Sequence, residues 1–315
     1  MDILRSLATK LLPVLIALGL GVAIRRGRLL DEAGVAALKR VVTRVTLPFV
    51  IFQAFYSADY SAHALVSALM VLLICLALFG LGFLLQRPLR RLTGLLPFTL
   101  AGFEMGMLGF PLFLLLAGQE HMGAMAVADL GQEVFVFTIY LFLLGRHTGA
   151  RRPLGEELGD IIKNPVIIAL LLGLLAGASG LTGALAGSLA EETLHAVSGF
   201  VSAPTAVLIL LSIGYDLRLE RGVLGRAALV VLLRLVAVAG VGGGLTLLLF
   251  RLVPYSPPLL LALLMMFCLP APFALPVYSR SGQEARFVAM FLSLGTLLFV
   301  GLFALLLAIA PGLLG

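Results

Sequence analysis

Charge is what this sequence lacks most. Asp, Glu, Lys and Arg make up 12% of its 315 residues, against about 25% in an ordinary soluble domain, and a water-facing surface cannot be built from so few. Hydrophobic residues reach 61%, against the usual ~45–50%. A soluble enzyme, a secreted module and a nucleic-acid binder are excluded together. The net charge of +6 would suggest a nucleic-acid partner in a soluble chain, but here it has to be read against a bilayer first. Cysteine is scarce as well: Cys75 and Cys268 both lie in apolar runs, and imply neither a disulfide framework nor a metal site. Hydrolytic signatures are missing, with no HExxH, no GxSxG and no Asp-rich metal motif. An intramembrane enzyme would therefore lack a recognisable constellation, since Asp129 and Glu133 have no histidine partner in the pattern.

What the sequence has is apolar length. At about 20 residues per spanning helix, the chain divides into ten apolar segments, near 4–24, 35–57, 62–85, 94–116, 121–144, 163–179, 192–215, 223–250, 257–278 and 285–310. Of the 22 Lys and Arg residues, 18 fall in the odd-numbered loops, from Arg25, Arg26 and Arg28 through Arg151 and Arg152 to Arg280 and Arg286. Arg5, Lys10 and Arg251 lie in the tails and even loops, and Arg234 sits inside the eighth segment. The positive-inside rule then places the odd loops in the cytoplasm and both termini outside, in a multi-pass inner-membrane protein. The basic balance thus marks topology and needs no nucleic acid. Arg5 and Lys10 before an apolar run could suggest a signal peptide, but the run is long and the heaviest basic cluster follows it, so the first segment reads as retained.

Five segments on either side of a central basic loop predict two halves facing opposite ways: a first repeat over 1–145, a cytoplasmic connector over 146–162 and a second repeat over 163–315. Three pairs of markers keep nearly one offset. Pro48 and Pro204 are 156 apart, Asp59 and Asp216, each beside a Tyr, are 157 apart, and Pro97 and Pro257 are 160 apart. The fourth and ninth segments are the unusual pair. The fourth carries Gly102, Gly106, Gly109 and Pro111, and the ninth carries Pro270, Pro272 and Pro276. Proline removes an amide donor and clashes with the preceding turn, so both helices are expected to be interrupted. Irregular backbone at membrane depth is tolerated where it is buried or lines a cavity, which points to a substrate site between the two breaks. Kinked packing helices are the plainer explanation of the same residues.

The order LPFVIF (47–52), GMLGFPLF (106–113), DLGQEVFVFTIY (129–140), KNPVIIALLLGLLAG (163–177) and a Pro-rich ninth segment resembles the auxin efflux carrier family over essentially the whole chain. The resemblance implies an all-α fold of ten helices in two inverted five-helix repeats, shared with the bile acid sodium symporters and sodium/proton antiporters, in which helices four and nine cross at their breaks. It implies secondary transport of small organic anions such as auxin, malate or malonate, by an elevator or rocking motion, with no resident cofactor and Na⁺ or H⁺ as coupling ion. Related folds imply a homodimer. The plant carriers have a long insert between helices five and six, whereas here only 145–164 joins them, as in compact bacterial members. Where relatives often place Asn before the GxxGxP stretch, this chain has Glu104.

The breaks are expected to present the backbone of Gly106, Leu108, Gly109, Ala271, Phe273 and Ala274 to a carboxylate, because helix N-termini carry a partial positive charge of about +0.5. Pro111 and Pro270 shape the breaks, and Gln53 is a weaker polar candidate. Met105, Met107, Met265, Met266 and Phe273 are either an adaptable wall or ordinary packing. His195 reads as an interfacial histidine, and Gly173 and Gly177 as a point of close helix contact. Ionisable residues inside spans cost about 2.5–3.5 kcal/mol each on insertion scales, so Glu104, Glu133 and Arg234 stand out, with Asp129 one turn before Glu133 and Gln132 beside it. Two accounts remain open. Glu104 or Glu133 exchanges a proton or Na⁺ while Arg234 compensates the empty site, or Arg234 forms a permanent salt bridge and nothing titrates. A carrier, a passive channel, and a carrier of amino acids or cations are the competing functional classes.

Overall fold

The computed structural model describes residues 7–148, 159, 162–279 and 282–314. Arg5, Arg151, Arg152 and Arg280, used above to assign sides, lie outside the described residues, as does most of the 146–162 connector. The structure is 84% helical, with no strand among the described residues. Besides the short helix Leu181–Leu185, the longer helices among the described residues are, in chain order, α1 Ala8–Arg26, α2 32–56, α3 Ala62–Leu89, α4 Leu96–Ala117, α5 Gln119–His147, α6 Pro165–Ala178, α7 Leu189–Asp216, α8 Arg221–Leu252, α9 Pro257–Cys268 and α10 Gln283–Leu314. Seven of them, all but α2, α6 and α9, are long and apolar enough to cross a membrane. The ninth predicted segment is the one whose extent changes most. Helix α9 stops at Cys268, the chain runs irregularly through 269–274, and it resumes only as a single tight turn, Leu275–Tyr278.

Helix starts follow local chemistry. Asp31, Ser61, Asn164, Ser188 and Ser256 precede α2, α3, α6, α7 and α9, and each side chain accepts an amide of the first turn, from Gly34, Ala64, Val166, Glu191 and Leu259 respectively. Pro165 and Pro257 follow two of these caps at the first helical position, where a missing N–H costs nothing. Inside the helices, proline acts differently. Wide π-type turns at Leu7–Leu11, Val42–Thr46 and Met105–Gly109 each end two residues before a proline, at Pro13, Pro48 and Pro111. Widening the turn relieves the clash of the ring with the carbonyl behind it, so these prolines widen the helix without ending it.

Glycine sets the helix pairings. A Cβ on Gly21 of α1 would sit 2.2 Å from the Leu211 carbonyl of α7, and one on Gly214 of α7 would sit 2.2 Å from the Leu18 carbonyl of α1. Gly173 of α6 faces the Phe52 carbonyl of α2 in the same way, at 2.6 Å, and Gly177 meets Phe55 and Tyr60. So α1 packs on α7 and α6 on α2, each pair joining the two halves of the chain. In addition α3 packs on α5 and α8 on α10, the first contact depending on Gly131, where a Cβ would lie 1.9 Å from the Ala68 carbonyl. Phe79, Phe98, Phe135 and Tyr140 form an edge-to-face cluster with centroids as close as 5.4 Å. The Tyr140 hydroxyl donates to the Phe98 carbonyl at 2.9 Å, which fixes the start of α4.

Candidate functional site at two interrupted helices

Helix α4 breaks between Leu100 and Met105. Gly102 is left-handed there, with φ +72, and Pro272 of the α9 break would lie 2.9 Å from any Cβ at that position; only glycine satisfies both demands. The two irregular stretches bond directly, Glu104 N donating to the Pro270 carbonyl at 3.0 Å.

The carboxylate of Glu104 closes the junction from one end. Its Oε1 accepts the Met107 amide at 3.1 Å and its Oε2 accepts the Phe273 amide at 2.5 Å. Glu104 thereby caps the second half of α4, where the helix dipole favours a negative charge, and ties it to the α9 break. The anion seat expected for a substrate is therefore occupied by a side chain of the protein. Of the residues expected to offer backbone there, Phe273 does so to Glu104, while the Gly109 amide donates to the Glu104 carbonyl at 3.1 Å. Leu108 and Ala271 are buried in packing. Gly106 and Ala274 flank the junction in sequence, and Pro111 lies in the second half of α4 behind its wide turn. Because α9 does not resume as an α-helix, its side of the junction contributes the Phe273 amide and no second half-helix terminus.

Arg234 of α8 closes the other end. Its guanidinium donates to the carbonyls of Thr99 at 2.9 Å, Gly102 at 2.7 Å and Leu269 at 3.3 Å, and stands 4.9 Å from the Phe103 ring centroid. No carboxylate pairs with it among the described residues, so the expected compensation by Glu104 and Glu133, and the permanent salt bridge offered as its alternative, are both corrected. Breaking two helices strands their last carbonyls, and a buried carbonyl without a donor costs about 1–3 kcal/mol. The arginine supplies those donors, and this leaves the nearby acids without a basic partner.

Those acids lie on α5. Gln132 reaches the junction, its Nε2 donating to the Phe103 carbonyl at 2.9 Å. Asp129, Gln132 and Glu133 share one helix face by their i, i+3, i+4 spacing, and Asp129 Oδ1, Gln132 Oε1 and Glu133 Oε2 are all buried with no hydrogen-bond partner. These three oxygens are acceptors without a protein donor, open to a proton, a cation or a water.

A cavity of about 560 Å³ leads to the junction, with Met107 and Phe273 among its lining residues and Ser293 and Thr296 along α10. Lys39, Arg218 and Arg286 stand around it, paired with Asp216, Glu32 and Glu220. A second cavity of about 340 Å³, holding Asp59, His63, Glu120 and His121, lies at the opposite end of α2, since Lys39 and Ser57 border the two cavities and are separated by most of that helix. Gln53 is not part of the junction; its amide pairs with Nδ1 of His195 on α7. The His195 ring is partly exposed and 3.9 Å from Glu191. Met105, Met265 and Met266 are packing residues, fully buried, whereas Met107 and Phe273 face the cavity.

No family model matches the chain, and no curated protein is significantly similar to it. Sequence reasoning missed the Met107 amide, which had no side-chain signal, and Ser293 with Thr296, whose i, i+3 spacing on an apolar helix could have marked them as lining a polar space.

Proposed function

We propose that this protein is a secondary carrier of small organic anions, working by alternating access and coupled to a proton or Na⁺. The observation that carries this reading is the junction of two interrupted helices at the end of a cavity, beside a helix face with three unpartnered oxygens. Broken helices at membrane depth line sites, and uncompensated acids there are the expected seat of a coupling ion. The same elements suit the ten-span, inverted-repeat organisation of the auxin efflux carriers, with both termini outside an inner membrane and the site inside one protomer of a possible homodimer. Supporting the inversion, α1 pairs with α7 as α6 pairs with α2, and the repeat markers Asp59 and Asp216 border cavities at opposite ends of α2.

A carboxylate substrate competes with Glu104 for the amides of Met107 and Phe273, while the proton or Na⁺ that couples its movement is taken by the unpartnered oxygens of Asp129 and Glu133 on α5. A second reading follows from Glu104: with the anion seat already filled and three acids against one arginine, an amino acid or organic cation suits the site on charge alone.

A screen of dicarboxylates, monocarboxylates, amino acids and amines decides between them, read as thermal shift and as uptake into proteoliposomes at two pH values with and without Na⁺. Saturable accumulation of a carboxylate driven by a pH or Na⁺ gradient is expected. Accumulation of amines alone would favour the second reading, and non-saturating flux at diffusive rates would make the protein a channel.

A further inference from the structure

Arg234 is bound as a free metal ion would be bound. It is 6% exposed, on a helix with mean hydropathy 2.2, and a charge in such surroundings ordinarily pairs with an acid. Its hydrogen-bond partners are instead the Thr99, Gly102 and Leu269 carbonyls, drawn from two separate interruptions of the chain. Carbonyl oxygens released by unwound helix and gathered from two segments form the ligand set that membrane carriers offer to a monovalent cation. Beside the guanidinium lies a small cavity of about 20 Å³, bordered by Arg234, Cys268, Leu269 and Pro270, room for about one water molecule.

We propose that the junction contains a carbonyl-lined seat for a monovalent cation and that the Arg234 guanidinium is its permanent, tethered occupant. Any free coupling ion must then act elsewhere, at the unpartnered oxygens of α5, and the junction itself is independent of Na⁺. The seat exists whatever the protein transports, so the inference does not depend on the substrate or on transport at all.

The test is thermal unfolding of the purified full chain in detergent, followed by a thiol-reactive dye that reports exposure of the buried Cys75 above the baseline set by the half-buried Cys268. Arg234→Ala and Arg234→Met are compared with the parent in choline, sodium and methylguanidinium chlorides at equal ionic strength. Both variants are expected to melt several degrees below the parent in choline. Millimolar methylguanidinium raises the alanine variant saturably toward the parent, does less for the methionine variant, whose side chain fills the seat, and leaves the parent unmoved; sodium acts in the same direction more weakly. If Arg234→Ala is lost during purification, the same comparison is made on recovery of monodisperse protein with methylguanidinium or choline present throughout. Recovery in methylguanidinium alone supports the seat, and equal loss in both overturns it. A methionine variant as stable as the parent, or an alanine variant that responds to the cations no more than the parent does, also overturns it.

Discussion

Two charged regions lie within reach of one another at the junction and are treated in opposite ways. Arg234 and Glu104 are buried and saturated: the guanidinium has three carbonyls, and the carboxylate has two amides. Asp129 and Gln132 are buried and Glu133 half-buried on the neighbouring face of α5, and each keeps a buried oxygen with no partner. The first pair ties the interrupted stretches of α4 and α9 together, and removing either member takes from those backbone groups the side-chain partner that meets them. In the second set only Gln132 ties elements together, through the Phe103 carbonyl, and the unmet acceptors of the set cost free energy unless a donor or cation meets them. Saturated charge therefore reads as architecture and unsaturated charge as exchange. A charge count alone, three acids against one base, would have made them a single cluster.

The contrast can be broken at several points. The largest loss of stability is expected for Arg234→Ala, about 3 kcal/mol or more, because three carbonyls lose their donors together. Next comes Glu104→Ala, at about 2–4 kcal/mol for two amides left without a charged acceptor, with Glu104→Gln recovering roughly half because one carbonyl oxygen remains to accept. Gly102→Ala is expected to cost about 1–3 kcal/mol for a left-handed alanine pressed against Pro272. All three are read from thermal unfolding in detergent, and a neutral result for either of the first two would dissolve the distinction drawn here. Asp129→Asn and Glu133→Gln are expected to leave the melting temperature unchanged or higher while abolishing the pH or Na⁺ dependence of uptake. At the bottom of the scale, Lys39→Ala breaks an exposed pair with Asp216 and should cost under about 1 kcal/mol.

Much of the architecture was legible because it is repetitive. Apolar runs bounded by Ser, Asp, Asn and Pro marked an all-α chain with seven helices long and apolar enough to cross a membrane, and the Gly and Pro content of the fourth and ninth segments located both interruptions. The close-contact role expected of Gly173 and Gly177 is what the structure assigns them. The site was harder to read because its partners are main-chain atoms. Nothing in a sequence shows that Arg234 finds the carbonyls of Thr99, Gly102 and Leu269 and not a carboxylate, since every residue carries a carbonyl and only the geometry of the breaks frees these three. The same holds for the Met107 and Phe273 amides that Glu104 takes from an incoming anion. The extent of α9 was misread for a related reason: Pro270, Pro272 and Pro276 together remove too many donors for the helix to resume, where Pro111 alone in α4 is absorbed by a wide turn. Gln53 was misplaced because its partner, His195, lies 142 positions away.

The most direct test of the exchange reading is uptake by proteoliposomes containing the parent or the Asp129→Asn/Glu133→Gln double variant, with the substrate found by screening and an imposed pH or Na⁺ gradient. The account predicts that the parent accumulates substrate above equilibrium under one of the gradients, while the folded double variant equilibrates substrate without accumulating it. Undiminished gradient-driven accumulation by the double variant would contradict it.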